Sequence, residues 1–352
     1  MRILIAAIAV VFALPAGAQA KPFQPVVEAL VREVLVPAYD AFAAAAGEQA
    51  ALTAALCETP SQETLDAARG GFGLLIGAFA GIEPYRFGPA ARENRYERLF
   101  FWPDRRGRGL RQVQGIIGGE DDTAVGVESL ANKSVAVQGL PALEFVLFGT
   151  GSDELATAGS FRCDYGATIA AAIAAVGEVM AAEWNAEFAG MMLNSGPDND
   201  AYRSDAEALQ DILQAAATQM ELTGAQKLAA VVRDSPKAAR PKRAAFWRSG
   251  QALAMVSANV ATVRSILEGG VGDLLADDVP LRGALFELSQ IDRALTPLLE
   301  DGRPFIELAV DPDAHRRLAF AVSPASAAQT LIAERIQGAL GLVAGFNALD
   351  GD

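Results

Sequence analysis

Apolar positions along most of the chain recur at three- and four-residue spacing, the repeat of one buried face of an α-helix. The first such stripe runs from Phe23 to Leu35, and Glu28 and Arg32 lie on the opposite face as an i,i+4 pair. Pro37 is expected to kink or end this helix. The same spacing predicts further helices over about 61–80, 162–193, 209–220, 246–267, 281–298 and 331–343. No alternating strand pattern of useful length competes with these stripes, so the pattern predicts an all-α protein.

Residues 81–130 differ from the helical remainder. Gly and Pro interrupt any long helix there, and Arg, Glu and aromatic residues are dense. Because loops carry function more often than core helices do, we expect the functional site in this region and in the helix that follows it. The number of helices is sufficient for two bundles. We predict one helical-bundle domain over residues 21–158 and a second over residues 159–352.

The first 20 residues have the layout of a cleavable export signal. Arg2 precedes an apolar stretch from Ile3 to Leu14, and Ala18 and Ala20 fit the small-x-small cleavage rule. The apolar stretch is too short for a comfortable membrane span, and no later segment offers about 18 uninterrupted apolar residues. We therefore predict a periplasmic protein without a transmembrane anchor.

The chain has two cysteines, Cys57 and Cys163, and one histidine, His315. In an oxidising compartment an isolated cysteine pair forms a disulfide, and a loop of this length stabilises the fold by about 4–5 kcal/mol in the chain-entropy model. A thiol ligand or nucleophile is the alternative, but neither cysteine has a histidine near it in sequence. His315 is expected at a solvated helix start.

Composition narrows the classes of partner. Hydrophobic residues make up 51% of the chain but aromatic residues only 7%, and this Ala-rich content favours closely packed helices. The formal net charge of −14 gives the protein no electrostatic reason to bind nucleic acid or an anionic membrane. Solubility is a sufficient explanation for the charge.

Three segments carry the candidate chemistry. They are ERLFFWPD at residues 97–104, GLPALEF at 139–145 and GFNALDGD at 345–352. Together they resemble motifs of the imelysin-like family of bacterial envelope proteins, and the resemblance spans most of the chain after residue 20. The family's second motif reads Gly-x-His-x-x-Glu. Gly139 and Glu144 match it, but Pro141 occupies the histidine position. The resemblance implies a fold of two helical-bundle domains.

Two interpretations of Glu144 remain open. Proline and an acidic residue both suit the first turn of a helix, which is a purely structural role. In family members with histidine, His and Glu at i,i+3 could share zinc or iron. This chain keeps the carboxylate alone, so a metal at Glu144 would need ligands from elsewhere in the fold. Because a zinc peptidase needs about three protein ligands and the chain has no His-Glu-x-x-His motif, that activity is disfavoured.

The arginine-aromatic segment also has two interpretations. Arg98 either forms a buried ion pair with Glu97 or Asp104, with Trp102 packed over it, or presents its guanidinium to an anionic ligand beside Glu144. The candidate ligand-binding residues are therefore Arg98, Trp102, Asp104, Gly139, Pro141 and Glu144.

The C-terminal motif supplies a further candidate. Asp350 is either a local backbone cap or a hard oxygen ligand for iron or calcium. Glu144 and Asp350 are thus the two candidate metal ligands.

The resemblance implies a function in iron acquisition. It suggests a non-catalytic periplasmic protein that binds iron, an iron carrier or a partner protein of the envelope, with iron as the one cofactor to consider. A metallopeptidase, the activity attached to the family name, is the first alternative. A structural or interaction protein of the cell envelope is the second.

Overall fold

A computed structural model describes residues 23–342, and every regular element among them is helical. The all-α fold class predicted from the sequence is therefore confirmed. The predicted export signal at residues 1–20 and the C-terminal motif with Asp350 lie outside the described residues.

The first half of the described chain contains seven α-helices, and short 3-10 segments in both halves are left unnumbered. α1 comprises Gln24–Ala29, a π-helical segment Leu30–Leu35 and Val36–Glu58. The next five are α2 Gln62–Ile82, α3 Arg95–Leu99, α4 Arg108–Gly119, α5 Val127–Ala131 and α6 Leu140–Phe148. α7 comprises Phe161–Glu183, a π-helical segment Trp184–Phe188 and Ala189–Leu193. α1 packs along both α2 and α7, and α6 contacts α2, α4 and α7. The helix that carries Glu144 is thus held on several sides.

The second half contains six helices. α8 comprises Asp205–Glu221, a π-helical segment Leu222–Ala229 and Ala230–Val232. The next four are α9 Ala252–Glu268, α10 Val271–Leu274, α11 Val279–Asp301 and α12 Phe305–Leu308. α13 comprises Pro312–Thr330, a π-helical segment Leu331–Ile336 and Gln337–Ala339. α13 packs against α8 and α11, while α9 packs against α8, α11 and α2. The contact between α9 and α2 joins the two halves.

Of the two outcomes predicted for Pro37, a kink or an end of the helix, the end does not occur. The helix continues through it to Glu58. The π-helical segment Leu30–Leu35 lies immediately before the proline. Such a wide turn interrupts the regular ladder of backbone hydrogen bonds, so the helix accommodates a residue without an N–H group.

The predicted disulfide is confirmed. Cys57 and Cys163 are bonded, with Cα atoms 5.6 Å apart, and the bond links the end of α1 to the start of α7. The sequence assigns α7 to the second bundle, whereas in the structure it packs along α1, and the buried apolar residues form one continuous core. The division at residues 158/159 stays a prediction.

His315 is at the start of a helix, as predicted, but it is not solvated. The Asp311 carboxylate caps α13 by accepting hydrogen bonds from the N–H groups of Asp313 and Ala314. The His315 side chain is buried, with Nε2 3.0 Å from the carbonyl oxygen of Val232 at the end of α8. Packing of α13 against α8 therefore covers the imidazole, a tertiary contact that the local sequence does not report.

A buried polar cluster links α2, α8 and α9. Lys227 Nζ donates to Glu83 Oε2 at 2.5 Å and to Asn259 Oδ1 at 2.6 Å. Asn259 Nδ2 donates to Glu83 Oε2 at 2.8 Å and to the Ala80 carbonyl at 3.0 Å. Burial lowers the pKa of Lys227, and the neighbouring Glu83 carboxylate opposes that effect. The cluster fixes the π-helical segment of α8 against the first half of the chain.

Two helical spans, Gln62–Ile82 and Phe161–Leu193, are long and apolar enough to cross a membrane by length and composition. Half or more of the apolar window of each is buried inside the protein. Core helices of this kind pass the same test, so these spans are weak evidence for a membrane segment.

Candidate functional site

A cavity of about 340 Å³ opens where three distant segments of the chain meet. Its walls are the loop between α3 and α4, the start of α6 and the segment that precedes α9, with a contribution from α8. Four of the six candidate ligand-binding residues line it, namely Trp102, Asp104, Pro141 and Glu144. Residues from two of the sequence motifs therefore contribute to its walls.

A stack of aromatic rings holds two of the walls together. Phe100 is stacked on Trp102, with centroids 5.7 Å apart, and on Phe246, with centroids 5.4 Å apart. Phe246, which the sequence pattern places in a helix, lies before α9 and has a φ of +54°. The left-handed backbone at this position turns the chain, so Phe246 leaves the helical stripe and packs in the cavity wall.

Trp102 and Asp104 fix the loop between α3 and α4. Trp102 Nε1 donates to the Arg243 carbonyl at 3.3 Å, which ties this loop to the segment before α9. The Asp104 carboxylate accepts from the N–H groups of Arg108 at 2.8 Å and Leu110 at 3.2 Å, in the first turn of α4. Asp104 therefore acts as a helix cap and does not pair with Arg98.

Gly139 and Arg98 lie outside the cavity lining. A Cβ atom at position 139 would lie 2.3 Å from the Leu99 carbonyl oxygen and 2.4 Å from that of Arg98, so only glycine permits this approach of α6 to the end of α3. Arg98 Nε donates to Gln138 Oε1 at 3.1 Å. The expectation that Arg98 stands beside Glu144 is therefore wrong, because its guanidinium is directed to the residue before Gly139.

Glu144 is buried and bonded to the segment that precedes α9. Its Oε1 atom accepts from the Arg248 N–H at 2.9 Å, the Ser249 N–H at 3.0 Å and the Ser249 hydroxyl at 3.0 Å. Oε2 lies 3.8 Å from Arg248 Nη1. This carboxylate holds Arg248, and with it the cavity wall, in place.

The electrostatics of Glu144 differ from the sequence expectation. Glu144 lies in the second turn of α6, and no acidic residue occupies the first turn, so the predicted helix-dipole contribution is absent. Burial raises the pKa of its carboxyl above the ordinary value, while hydrogen bonds from Ser249 and the charge of Arg248 oppose the rise. The donors that stabilise the charge come from a segment more than 100 residues away along the chain.

Pro141 presents an apolar ring to the cavity at the place where the resemblance expects a histidine. It is the second residue of α6 and is partly exposed. A pyrrolidine ring offers no ligand atom, so this wall provides packing surface beside the Glu144 carboxylate.

Four cationic side chains line the cavity, namely Arg105, Lys242, Arg243 and Arg248. Within residues 23–342, none of them forms an ion pair shorter than the 3.8 Å contact of Arg248 with Glu144. Some arginines outside the cavity form closer ion pairs, since Arg92 and Arg95 both pair with Glu183 at 2.8 Å. The four cations outnumber the two carboxylates of the lining, Asp104 and Glu144, in a protein whose net charge is −14.

Arg248 is the best placed of these cations. Its side chain is 20% exposed, and its Cζ lies 4.4 Å from the centroid of the Trp247 ring and 5.4 Å from that of Phe145. Lys242 Nζ lies 5.6 Å from the same Trp247 centroid. In the part of the chain that the structure describes, the Arg248 guanidinium donates no hydrogen bond, so its N–H groups are available to an acceptor in the cavity.

The sequence analysis did not identify Trp247 and Arg248 as site residues. The available signal was the density of cations and aromatics in RPKRAAFWR at residues 240–248, inside an acidic chain. Because these residues do not repeat at the helical period, a pattern of apolar stripes does not reveal them.

The donor set of the cavity does not resemble a metal centre. Among residues 23–342, no group of three or more His, Cys, Asp or Glu side chains is placed to hold a metal ion. Oε1 of Glu144 already accepts three hydrogen bonds, and both oxygens of Asp104 cap α4. The chemistry that the cavity offers is recognition of an anion by arginine, lysine and aromatic rings.

Comparison with known proteins identifies the fold. The family model described as imelysin, peptidase M75, matches residues 35–315. An imelysin-like protein from Psychrobacter arcticum 273-4 has a similar structure, with a TM-score of 0.74 and 19% identity over 97% of this chain and 100% of that one. A candidate iron-regulated protein A precursor from Parabacteroides distasonis ATCC 8503 has a TM-score of 0.71 and 16% identity over 91% of this chain and 97% of that one. Comparison with curated proteins gives no match.

Proposed function

This chain belongs to the imelysin family, and on that premise we propose that it is an exported binding protein of iron acquisition whose cavity takes an iron carrier. The iron-regulated description of the Parabacteroides distasonis relative supports an iron-related role. The layout of residues 1–20 supports export. The chemistry of the cavity supports an organic carrier over bare iron.

The cationic side chains of the cavity carry this proposal. A mostly buried guanidinium that donates no hydrogen bond within the protein gains from an anionic ligand that accepts from its N–H groups. Arg248 has this position, and Arg105, Lys242 and Arg243 add charge at the cavity walls. Iron carriers expose anionic oxygen atoms, which are the groups that such cations bind. Bare iron, itself a cation, would be repelled.

The role of Glu144 favours binding over hydrolysis. A catalytic metal needs several protein ligands and an open coordination position, and a general base needs a free carboxylate oxygen near the substrate. Oε1 of Glu144 is occupied by Arg248 and Ser249, and Oε2 faces the Arg248 guanidinium. In this proposal the motif carboxylate positions the binding wall and takes no part in bond cleavage.

Binding is tested by thermal stabilisation and calorimetry. The exported protein is titrated with ferric citrate, ferric dihydroxybenzoate, haemin and ferric nitrilotriacetate, each beside its iron-free form. A ligand at 100 times its Kd should raise the free energy of unfolding by about 2.7 kcal/mol. Arg248→Gln should weaken binding of the effective carrier, whereas Arg282→Ala, at an exposed ion pair on α11, should leave it unchanged.

Two results would contradict the proposal. One is the absence of any shift with all four iron compounds. The other is chelator-sensitive cleavage of casein that disappears in Glu144→Ala, which would establish the peptidase alternative. Export is tested separately, because N-terminal sequencing of protein from the periplasm should begin at Lys21.

A further inference from the structure

The cavity of the proposed carrier-binding protein combines aromatic rings and cations in its lining. Phe101, Trp102, Phe145 and Trp247 line it together with the four cationic side chains. An anion site needs only the cations, and an apolar site needs only the rings. Their coexistence therefore restricts the ligand more than either feature alone.

Trp247 is the point where the two features meet. The guanidinium carbon of Arg248 and the ammonium of Lys242 lie 4.4 Å and 5.6 Å from the centroid of its indole ring. A planar ligand ring that stacks in this wall brings its acidic substituents next to both cations. The free N–H groups of Arg248 match a pair of adjacent oxygen atoms, because a guanidinium donates in a bidentate fork.

The other polar groups of the cavity also favour an anionic ligand. Asp104 and Glu144 are the carboxylates in the lining, and both are committed to backbone N–H groups of the protein. A ligand with many neutral hydroxyl groups or a positive charge would meet few acceptors. A cavity of about 340 Å³ is at the small end of the range for organic ligands, which suits one or two substituted rings.

We infer that the ligand is an aromatic acid with adjacent oxygen atoms, a chelator of the catecholate or salicylate class, bound through Trp247 and Arg248. The inference rests on the proposed function for the link to iron, but it names the chemical class that the cavity selects. Trp247 supplies the aromatic contact to the ligand ring and Arg248 the bidentate contact to the oxygen pair, with Lys242 as a second cation.

Isothermal titration with small chelators tests the inference. The probes are 2,3-dihydroxybenzoate and salicylate, with citrate as an anion without a ring, phenol as a ring without charge, and acetohydroxamate as a chelator with neither. The two aromatic acids should bind up to about tenfold more tightly than citrate or phenol, which each lack one contact, and more tightly still than acetohydroxamate, which lacks both, since a charge-assisted contact and an aromatic contact each contribute about tenfold or less. Raising the ionic strength should weaken binding of both acids.

Variants separate the two contributions. Trp247→Leu should weaken 2,3-dihydroxybenzoate and leave citrate unchanged, whereas Arg248→Gln should weaken both. Arg282→Ala is the matched control for the loss of an arginine outside the cavity, and circular dichroism verifies that each variant is folded. Affinity for 2,3-dihydroxybenzoate that is unchanged in Trp247→Leu would overturn the inference, as would citrate binding as tightly as the aromatic acids.

Failure of the inference and failure of the proposed function give different results. Binding of ferric citrate or haemin without binding of the aromatic acids would overturn the ligand class and leave the iron-carrier function in place. Binding of 2,3-dihydroxybenzoate alone, with its ferric complex excluded, would support the ligand class and overturn the iron-carrier function.

Discussion

Gly139 shows that a motif residue can be required for packing although it touches no ligand. Its Cα lies so close to the end of α3 that a Cβ atom would be 2.3 Å from the Leu99 carbonyl oxygen, a backbone atom that cannot rotate away. The glycine therefore joins the two sequence motifs, residues 97–104 and 139–145, into one structural unit. The spacing of either motif alone does not predict this contact.

Substitution of Gly139 by alanine should destabilise the protein by about 1–3 kcal/mol, the usual cost of forcing extra atoms into a packed region. The control is Gly115→Ala in α4, where a Cβ atom meets nothing within 4 Å and alanine should stabilise the helix by about 0.5–1 kcal/mol. Urea unfolding measures both. Equal stability of the two variants would show that α6 can move away from α3 at no cost.

Glu144 should give the protein a measurable dependence of stability on pH. Burial raises its pKa in the folded state above the ordinary value of 4.5. The folded state therefore holds this proton more strongly than the unfolded state, and the contribution to stability is lost as the pH rises from about 4.5 through the raised pKa. Each unit by which the pKa is raised corresponds to about 1.4 kcal/mol.

Glu144→Gln isolates this effect, because the amide oxygen can still accept hydrogen bonds from Arg248 and Ser249 without titrating. The difference in free energy of unfolding, wild type minus Glu144→Gln, should fall as the pH rises from 4 to 8. Urea denaturation at five pH values measures it. A difference that rises with pH would mean that the hydrogen bonds to the carboxylate outweigh its burial.

At the scale of elements, the buried cluster of Glu83, Lys227 and Asn259 holds α2, α8 and α9 together. Lys227→Met leaves the Glu83 carboxylate buried without its cation, and this should cost about 3–5 kcal/mol. The double variant Lys227→Met, Glu83→Leu should recover most of that loss, because an apolar pair needs no compensation. A double-mutant cycle in urea provides the coupling energy, and an additive result would refute the role of the pair.

The helices themselves were largely predictable, and the reason is physical. Each long helix buries one face, so its apolar residues repeat at the helical period, and the stripe from Ile169 to Phe188 in α7 is an example. An exception arises where a tertiary contact determines the conformation, since Phe246 leaves its stripe to stack on Phe100.

At the scale of the whole molecule, the candidate site was only partly predictable. The residues at 102–104 and 141–144 carry recognisable motifs, but the wall with Trp247 and Arg248 comes from a segment about 100 residues later. The net charge of −14 did not indicate this wall either, because a total charge does not report the positions of the positive side chains. Tertiary contacts bring this segment to the motif helix, among them the packing of α9 against α2 and the hydrogen bonds of Arg248 and Ser249 to Glu144.

The Cys57–Cys163 disulfide acts on the whole molecule, because it closes a loop with a sequence separation of 106 between α1 and α7. In the chain-entropy model, a loop of this length restricts the unfolded chain and stabilises the fold by about 4–5 kcal/mol. Cys57→Ser with Cys163→Ser should therefore lower the midpoint of urea unfolding, and dithiothreitol should lower it equally in the wild type. Dithiothreitol should have no effect on the double variant. An unchanged midpoint in the reduced protein would contradict the chain-entropy model for this bond, because it would mean that residual contacts already restrict the unfolded chain and the crosslink removes no further freedom.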